Sequence, residues 1–557
     1  MKLFNITRNY VQKNPVVLLF VGSALLVSHL LFAHGGCFGN DDMVYAYYAD
    51  NAGHSATPAC ANCTHFELRW VPVFVTAFFY KIFGLNDFGS ALFSLVSFVS
   101  IAVLLYAILR KETLFVIASG FVLFFLNHST VFYTHRLLAD TGISAFNFLA
   151  YYFYHRQLFG IKNRSVFNAT ILSIALMLAL LTKETVIILL PFWLLLLAID
   201  IFKKRNRRFW TTTVLLITMF TVAYLLYFRL STGDWLYRYH LLQSNNAIAD
   251  ETYAEQPSTD LWQRIGYELW KVFLYNGDME YLLFAIAGLF YYKSVFKEAR
   301  VRHIAWSFFV LLLCSNFMSF TFSAYSPLWP DPRHFLFLIP FAVITGAYML
   351  AAYMREPGKY MGLLFCFLAA DIFLLVSNLG GTKYVYFGIT AVLLLRWLLF
   401  AYNKSEGAIY LNFILFVSLM SSNYFFDFFS ARYSFYYDQQ AIVQTRLKTI
   451  GDKTIVYTGD LITARLANYM HSFKQDGLHF ADIDTCTSFS SGASAKCFLL
   501  FNSGYNENFA HALDSLRLRN VIPGGLKLVE QVHSAALYEV KDTAVLASFK
   551  QYSTSGF

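Results

Sequence analysis

The chain has 557 residues, of which 57% are hydrophobic, 19% aromatic and only 14% charged, and its mean hydropathy is +0.49. That composition excludes an ordinary water-soluble globule and points to a polytopic α-helical membrane protein. The formal charge of +9 is gathered in clusters between apolar segments, so it reads as a topology signal and argues against a nucleic-acid-binding surface.

Lys2, Arg8 and Lys13 precede an apolar run over Pro15–Ala33. A signal peptide would begin the same way, but the length suits a full span and further spans follow, so an uncleaved first helix is expected. The positive flank puts the N-terminus in the cytoplasm and the next residues outside.

Those next residues include Gly39-Asn40-Asp41-Asp42-Met43-Val44. Two ionised side chains at the foot of a span are costly unless they meet water, a cation or a reacting partner, which makes Asp41 and Asp42 candidate functional groups. The plainer alternative is a helix N-cap. The same outer loop, residues 34–87, holds Cys37, Cys60 and Cys63. Cys60-Ala-Asn-Cys63 has the spacing of half a zinc site, with Cys37, His34 or His54 to complete it; a disulfide or free thiols are the alternatives, and no metal is predicted.

Twelve more apolar segments are expected to span. Six lie near Phe88–Leu109, Leu114–Asn127, Asp140–Tyr154, Ser165–Thr182, Val186–Phe202 and Thr211–Phe228; six more lie near Glu280–Phe296, Ile304–Phe322, Phe335–Met354, Met361–Ser377, Val385–Phe400 and Leu411–Phe428. Basic clusters such as Arg110-Lys111, Lys203–Arg208 and Arg355 with Lys359 fall on every second connection, giving about thirteen spans with the N-terminus inside and the C-terminus outside, as in a plasma (inner) membrane protein. Within the outer loop 229–279, Leu261, Trp262, Tyr267, Trp270 and Phe273 predict an interfacial amphipathic helix.

After residue 430 the pattern changes. Thr454–Asp460 followed by an amphipathic run to Tyr469, and Cys497–Phe501 followed by Glu507–Leu516, each read as strand, turn and helix; Leu526–Gln531 with Ala536–Val540 reads as a terminal strand pair. The expected organisation is therefore a membrane domain over 1–430 and a small extracytoplasmic α/β domain over 431–557. Cys486 and Cys497 in that domain could pair in an oxidising compartment.

The topology gathers distant polar residues at the outer face: Asp41 and Asp42, Glu67 and Arg69, Arg136 and Asp140, Lys183 and Glu184, and Arg333 with His334. Cations to hold an anionic leaving group, together with a carboxylate to take a proton, are the inventory for moving a group off a lipid phosphate. Arg333 is the best-fixed cation, lying in Pro330-Asp-Pro-Arg-His-Phe-Leu-Phe-Leu-Ile-Pro340 between turn-forming prolines and a span. Lys183 and Glu184 could instead be a simple interfacial ion pair, Arg136 could snorkel to headgroups, and His334 could be a satisfied polar residue.

Gly39–Ala49, His65-Phe-Glu-Leu-Arg-Trp-Val-Pro72 and Tyr80–Asp87 together resemble the opening signature of the GT-C glycosyltransferases. Arg136-Leu-Leu-Ala-Asp140, Leu181-Thr-Lys-Glu-Thr185 and Arg333–Pro340 resemble later landmarks of that family in the same order. The similar branch holds the aminoarabinose transferases of lipid A and the protein O-mannosyltransferases. The resemblance covers roughly the first 350 residues. It implies a many-span fold and a sugar donor carried on a polyprenyl phosphate, with a hydroxyl acceptor on a lipid, glycan or protein. It further implies Asp41 as general base with Asp42 as its acidic neighbour. Arg69, Arg333, Lys183 and Arg136 would bind the donor phosphate, with Glu67, Asp140 and His334 in support. The second acidic residue, commonly Glu in the family, is Asp42 here, and the Lys-Pro-Pro element of the aminoarabinose branch is replaced by Arg69-Trp70-Val71-Pro72. No cofactor is required by this chemistry; a divalent metal is compatible with it but not predicted. A secondary transporter or a non-catalytic membrane scaffold are the competing classes, distinguished by uptake without a covalent product or by function surviving loss of both Asp41 and Asp42.

Overall fold

The computed structural model describes residues 14–54, 65–160, 164–243, 258–275, 279–319, 325–377, 383–402, 406–430, 435–449, 454–474, 477–483, 496–505, 525–542 and 545–546. Each of the thirteen expected apolar segments contains a helix, the form that satisfies every backbone N–H and C=O without water. Among the described residues seven helices are long and apolar enough to cross a bilayer: Asp87–Leu109, Ser165–Thr182, Glu184–Phe202, Arg207–Thr232, Pro332–Arg355, Tyr384–Ala401 and Glu406–Phe426. The pair Leu114–Phe125 and His128–Thr134 forms a further bent span with a 52° break. At that break the Asn127 side chain accepts from Thr130 N–H at 3.3 Å and donates to Glu280 at 2.9 Å. The remaining segments are the shorter apolar helices Val16–Phe32, Glu280–Phe290 and Gly362–Val376, and two helices with more polar faces, Ala139–Phe159 and Ala299–Phe317. The protein is a multi-pass membrane protein.

The outer loop over 34–87 departs from expectation, since it contains two helices, Asp41–His54 and Trp70–Phe83. Pro72 falls in the first turn of the second, where its missing N–H costs nothing. At 14 residues that helix reaches only about 21 Å, short of the roughly 30 Å hydrocarbon thickness, yet Phe74, Phe78 and Ile82 lie exposed on it. In the connection over 229–279, Ser258–Gln263 and Leu269–Tyr275 are helical around a π turn at Arg264–Glu268. Trp262, Tyr267 and Trp270 face outward there while Phe273 is buried, an amphipathic element as expected.

Beyond Ser430, the helix Phe435–Thr445 leads into a five-stranded sheet of order β2-β1-β3-β5-β4. The strands are β1 (Thr454–Thr458), β2 (Leu478–Asp482), β3 (Lys496–Asn502), β4 (Leu526–Val532) and β5 (Ala535–Val540). β1 runs parallel to β2 and β3, and β5 pairs antiparallel with β3 and β4. β2 is not evident in the sequence: five residues with a single strongly apolar alternation are too short a signal. Helix Leu461–Met470 joins β1 to β2, capped by Asp460 accepting from Thr463 N–H at 2.8 Å. The expected helix over 507–516 and Cys486, Cys60 and Cys63 lie outside the described residues.

This α/β unit is seated on the membrane domain through one apolar cluster. Tyr436, Leu466, Ala467 and Tyr469 pack with Met43, Tyr45, Val73 and Tyr80. Tyr436 Oη donates to Asp87 at 2.6 Å, and Tyr469 Oη lies 2.9 Å from Ser90 Oγ.

Candidate active site at one end of the helical bundle

The site begins in the loop that leaves Val16–Phe32. Gly36 and Gly39 each have a φ of 80°, a conformation open to glycine. The α/β unit presses on both: a Cβ on Gly36 would overlap the Tyr436 ring, and one on Gly39 would overlap the Ile462 side chain. Asp42 closes the loop from within. Its Oδ2 accepts the Phe38 N–H at 2.5 Å, and its Oδ1 accepts the N–H groups of Asn40 and Met43, each at 3.0 Å. Asp42 is fully buried, and burial raises its carboxyl above the ordinary carboxylate range. Asp42 is not an N-cap, since it lies inside the first turn of Asp41–His54; its oxygens reach back to hold the loop before the helix.

Arg136 supports the same loop. Its guanidinium lies over the Phe38 and Phe132 rings at 4.5 and 5.1 Å, with Nη2 3.4 Å from the Gly35 carbonyl. The imidazole of His34 is buried there, and burial lowers its pKa to about 4.

With Asp42 so occupied, Asp41 is left facing outward at the first turn of its helix. Its Oδ2 lies 3.2 Å from Arg333 Nη1, the two side chains being 20% and 21% exposed. Arg333 is fixed from its own segment, because Asp331 lies 3.3 Å from its Nε and also caps the following turn by accepting the Arg333 N–H at 2.9 Å. Residues 41 and 333 are thus brought together from opposite halves of the membrane domain.

Behind this pair stand two buried ion clusters. Lys183 is extended, with φ −162°, between helix Ser165–Thr182 and the 3-10 turn Glu184–Leu189, so Lys183 and Glu184 diverge to opposite sides. Lys183 Nζ donates to Asp140 at 2.9 and 3.1 Å, and His334 Nδ1 sits 3.1 Å from Asp140 Oδ1 and 3.3 Å from Lys183 Nζ. Glu184 takes Arg69 on both oxygens, one bond at 3.2 Å, and Arg238 at 3.0 Å. Arg69 also donates to Tyr45 Oη at 2.5 Å, and Arg238 donates to the Leu180 carbonyl at 3.0 Å and Tyr224 Oη at 3.1 Å. Lys183 and Glu184 are therefore not paired with each other; each serves a different cluster.

All nine candidate residues read from the sequence fall in this end of the bundle or in the loop beside it. Of the four candidate cations, Arg69, Arg136 and Lys183 are buried, and Arg333 is the one that shares open space with Asp41. Glu67 lies on the turn before Arg69; its carboxyl is raised by burial, and the carboxylate that Arg69 grips with two nitrogens is that of Glu184. Three partners escaped the sequence reading: Tyr45, Arg238 and Asp331. Only Asp331 carried a local signal, as the cap residue before Pro332. Among the described residues no group of three metal-ligating side chains assembles.

No family model matches the sequence, and no curated protein matches it. Solved structures do match. ArnT from Cupriavidus metallidurans bound to undecaprenyl phosphate superposes with a TM-score of 0.56 at 16% identity, over 94% of this chain and 97% of that one. The same protein in the apo state gives 0.55 at 16% identity, over 95% and 98%. The chain therefore shares the fold of this protein over nearly its whole length.

Proposed function

We propose that the protein is a membrane glycosyltransferase that moves a sugar from a polyprenyl phosphate to a hydroxyl acceptor in a single inverting displacement. The observation that carries this reading is the contact between Asp41 and Arg333 at 3.2 Å, a carboxylate and a guanidinium that are both reachable at the end of an otherwise closed ion network. The likeness to a fold solved with undecaprenyl phosphate bound supports a donor of that class.

In this mechanism the incoming donor phosphate takes the Arg333 guanidinium, which offers planar paired donors to phosphate oxygens. Asp41, released from that contact, accepts the proton of the acceptor hydroxyl as the oxygen attacks the anomeric carbon. The bond from that carbon to the phosphate oxygen breaks, and the charge left on the polyprenyl phosphate is held by Arg333. Arg69 and Lys183 act from behind. Each is anchored by a buried carboxylate, so they keep the geometry fixed and the local potential suited to an anion without reorganising. Arg136, with Asp42, holds the loop that presents Asp41. The arginines supply the positive charge, so the step requires neither a metal nor a nucleotide. The site opens on the extracytoplasmic side of the plasma membrane, with the N-terminus in the cytoplasm, as the alternating basic connections indicate.

Incubating the purified protein with extracted polyprenyl-phosphate sugars and membrane extract, followed by mass analysis, tests the reading. A hexose or pentose mass added to an acceptor, with loss of the lipid-linked sugar, is expected. Solute uptake by reconstituted vesicles without any covalent product would overturn it in favour of transport.

A further inference from the structure

At the end of the bundle away from Asp41, residues 203–206 connect the spans Glu184–Phe202 and Arg207–Thr232. The basic residues of this connection are a topology signal, and such a signal acts on the nascent chain without any folded shape. The turn is nevertheless built. Asp200, wholly buried, accepts from Arg205, Asn206 and Trp210 around the turn and from Tyr154 of a neighbouring helix. Gln157 adds a donor to Asn206 Oδ1 at 3.3 Å. Lys204 and Asn206 are held at φ of 50° and 56°, left-handed conformations that persist only where the surroundings over-determine them.

What this scaffold presents is charge. Arg205 is spent on Asp200, whereas Lys203, Lys204, Arg207 and Arg208 are exposed, and among the described residues none of those four forms an ion pair. The adjoining helices Ala139–Phe159 and Ser165–Thr182 bring Arg156 and no acid to this end. Across His155, which lies 3.2 Å from the Arg300 carbonyl, Glu112 and Glu298 are both taken by Arg300. Next to the cations the surface turns apolar. Ile201 and Phe202 are 62% and 84% exposed, and Val214 and Leu215 are exposed on the following helix, roughly 10 Å along it from Arg207. Fixed cations at the boundary with hydrocarbon-facing side chains beside them match a phospholipid whose headgroup is negative.

We propose that this turn is a binding site for an anionic phospholipid. Lys203, Lys204, Arg207 and Arg208 hold the headgroup phosphate, Ile201 and Phe202 lie along the acyl chains, and Asp200 is the buried post that keeps the cations in place. The inference does not rest on the transfer reading, since the turn stands a span's length from Asp41.

The detergent-purified full chain is titrated with phosphatidylglycerol and phosphatidylcholine, with glycerol 3-phosphate as competitor, and the bound species are counted by native mass spectrometry. Phosphatidylglycerol is expected to bind roughly 10-fold more tightly than phosphatidylcholine, and glycerol 3-phosphate is expected not to displace it. Lys203→Gln with Lys204→Gln should remove most of that preference. Arg110→Gln with Lys111→Gln takes two exposed cations from another basic connection and should leave it intact. Asp200→Asn separates a built site from bare charge, because it makes the protein more positive while loosening the turn. The preference should fall in that variant, whereas attraction by charge alone would strengthen it. Asn206→Ala removes one Asp200 contact without touching any charge, and should lower the preference as well. Equal binding of the two lipids by the wild type would overturn the proposal, and so would an equal loss in the two double variants. An unchanged or raised preference in both Asp200→Asn and Asn206→Ala would do the same. Competition by glycerol 3-phosphate at the affinity of the lipid would overturn it in favour of a soluble-phosphate site.

Discussion

Two buried carboxylates, Glu184 and Asp200, mark opposite ends of the same span, roughly 25 Å apart along its axis. Asp200 is wholly buried and satisfied largely by its own neighbourhood: Arg205 at 2.5 Å, Asn206 and Trp210 each at 2.9 Å, and Tyr154 at 3.2 Å. Three of those four partners lie within ten residues of it, and both of its oxygens accept hydrogen bonds. At the other end, Glu184 is bound by Arg69 and Arg238 from remote segments, and the cluster continues outward to a pair, Asp41 and Arg333, that remains partly open. A carboxylate near the end of a membrane helix is thus not a site in itself. What separates the two ends is whether the charge network closes on itself or leaves one acid and one base reachable.

The comparison can be broken by experiment. Asp41→Asn should lower transfer by roughly 10²- to 10⁴-fold, the range for a lost general base, with the protein still folded and membrane-inserted; near-normal turnover of that variant would remove the distinction between the ends. Glu184→Gln leaves Arg69 and Arg238 buried against a neutral partner, and a loss of about 3–5 kcal/mol of stability is expected, read as a lower unfolding midpoint in detergent. An unchanged midpoint would show that the inner part of the cluster is solvated. Arg333→Gln should cost roughly 10²- to 10³-fold in transfer with little change in melting, since its side chain is partly exposed; a large loss of stability with normal turnover would make Arg333 a structural residue. The smallest effect sharpens the contrast from the opposite side. Asp200→Asn should cost about 1–3 kcal/mol of stability and leave turnover per folded molecule unchanged, and a matching loss of turnover would show the two ends to be coupled.

Asp41 and Asp42 repeat the lesson at one-residue spacing. The sequence offers both as acids at the foot of a span, with capping as the alternative. In three dimensions the two part: Asp42 reaches back to backbone N–H groups of the preceding loop and accepts that of Met43, while Asp41 is turned to Arg333. Nothing in the local pattern distinguishes them, because the distinction depends on which side chain the loop at Gly36–Gly39 turns inward. Lys183 and Glu184 show the same limit. Adjacent opposite charges read as a pair, yet an extended backbone at residue 183 sends them to Asp140 and Arg69. The helix Trp70–Phe83 was hidden by its shortness and by Pro72, and Arg238 by a connection whose polar residues carry no periodic signal.

By itself the sequence determined that the chain is a many-span membrane protein with an α/β unit after residue 430. It also placed the candidate acids and bases at one face, because hydrophobic length and the placement of basic connections are local properties that the bilayer reads directly. Which acid is open, which cation faces it, and how the α/β unit is seated beside them were decided only by tertiary packing. Those outcomes depend on contacts between segments hundreds of residues apart, and such contacts leave no trace in composition or periodicity.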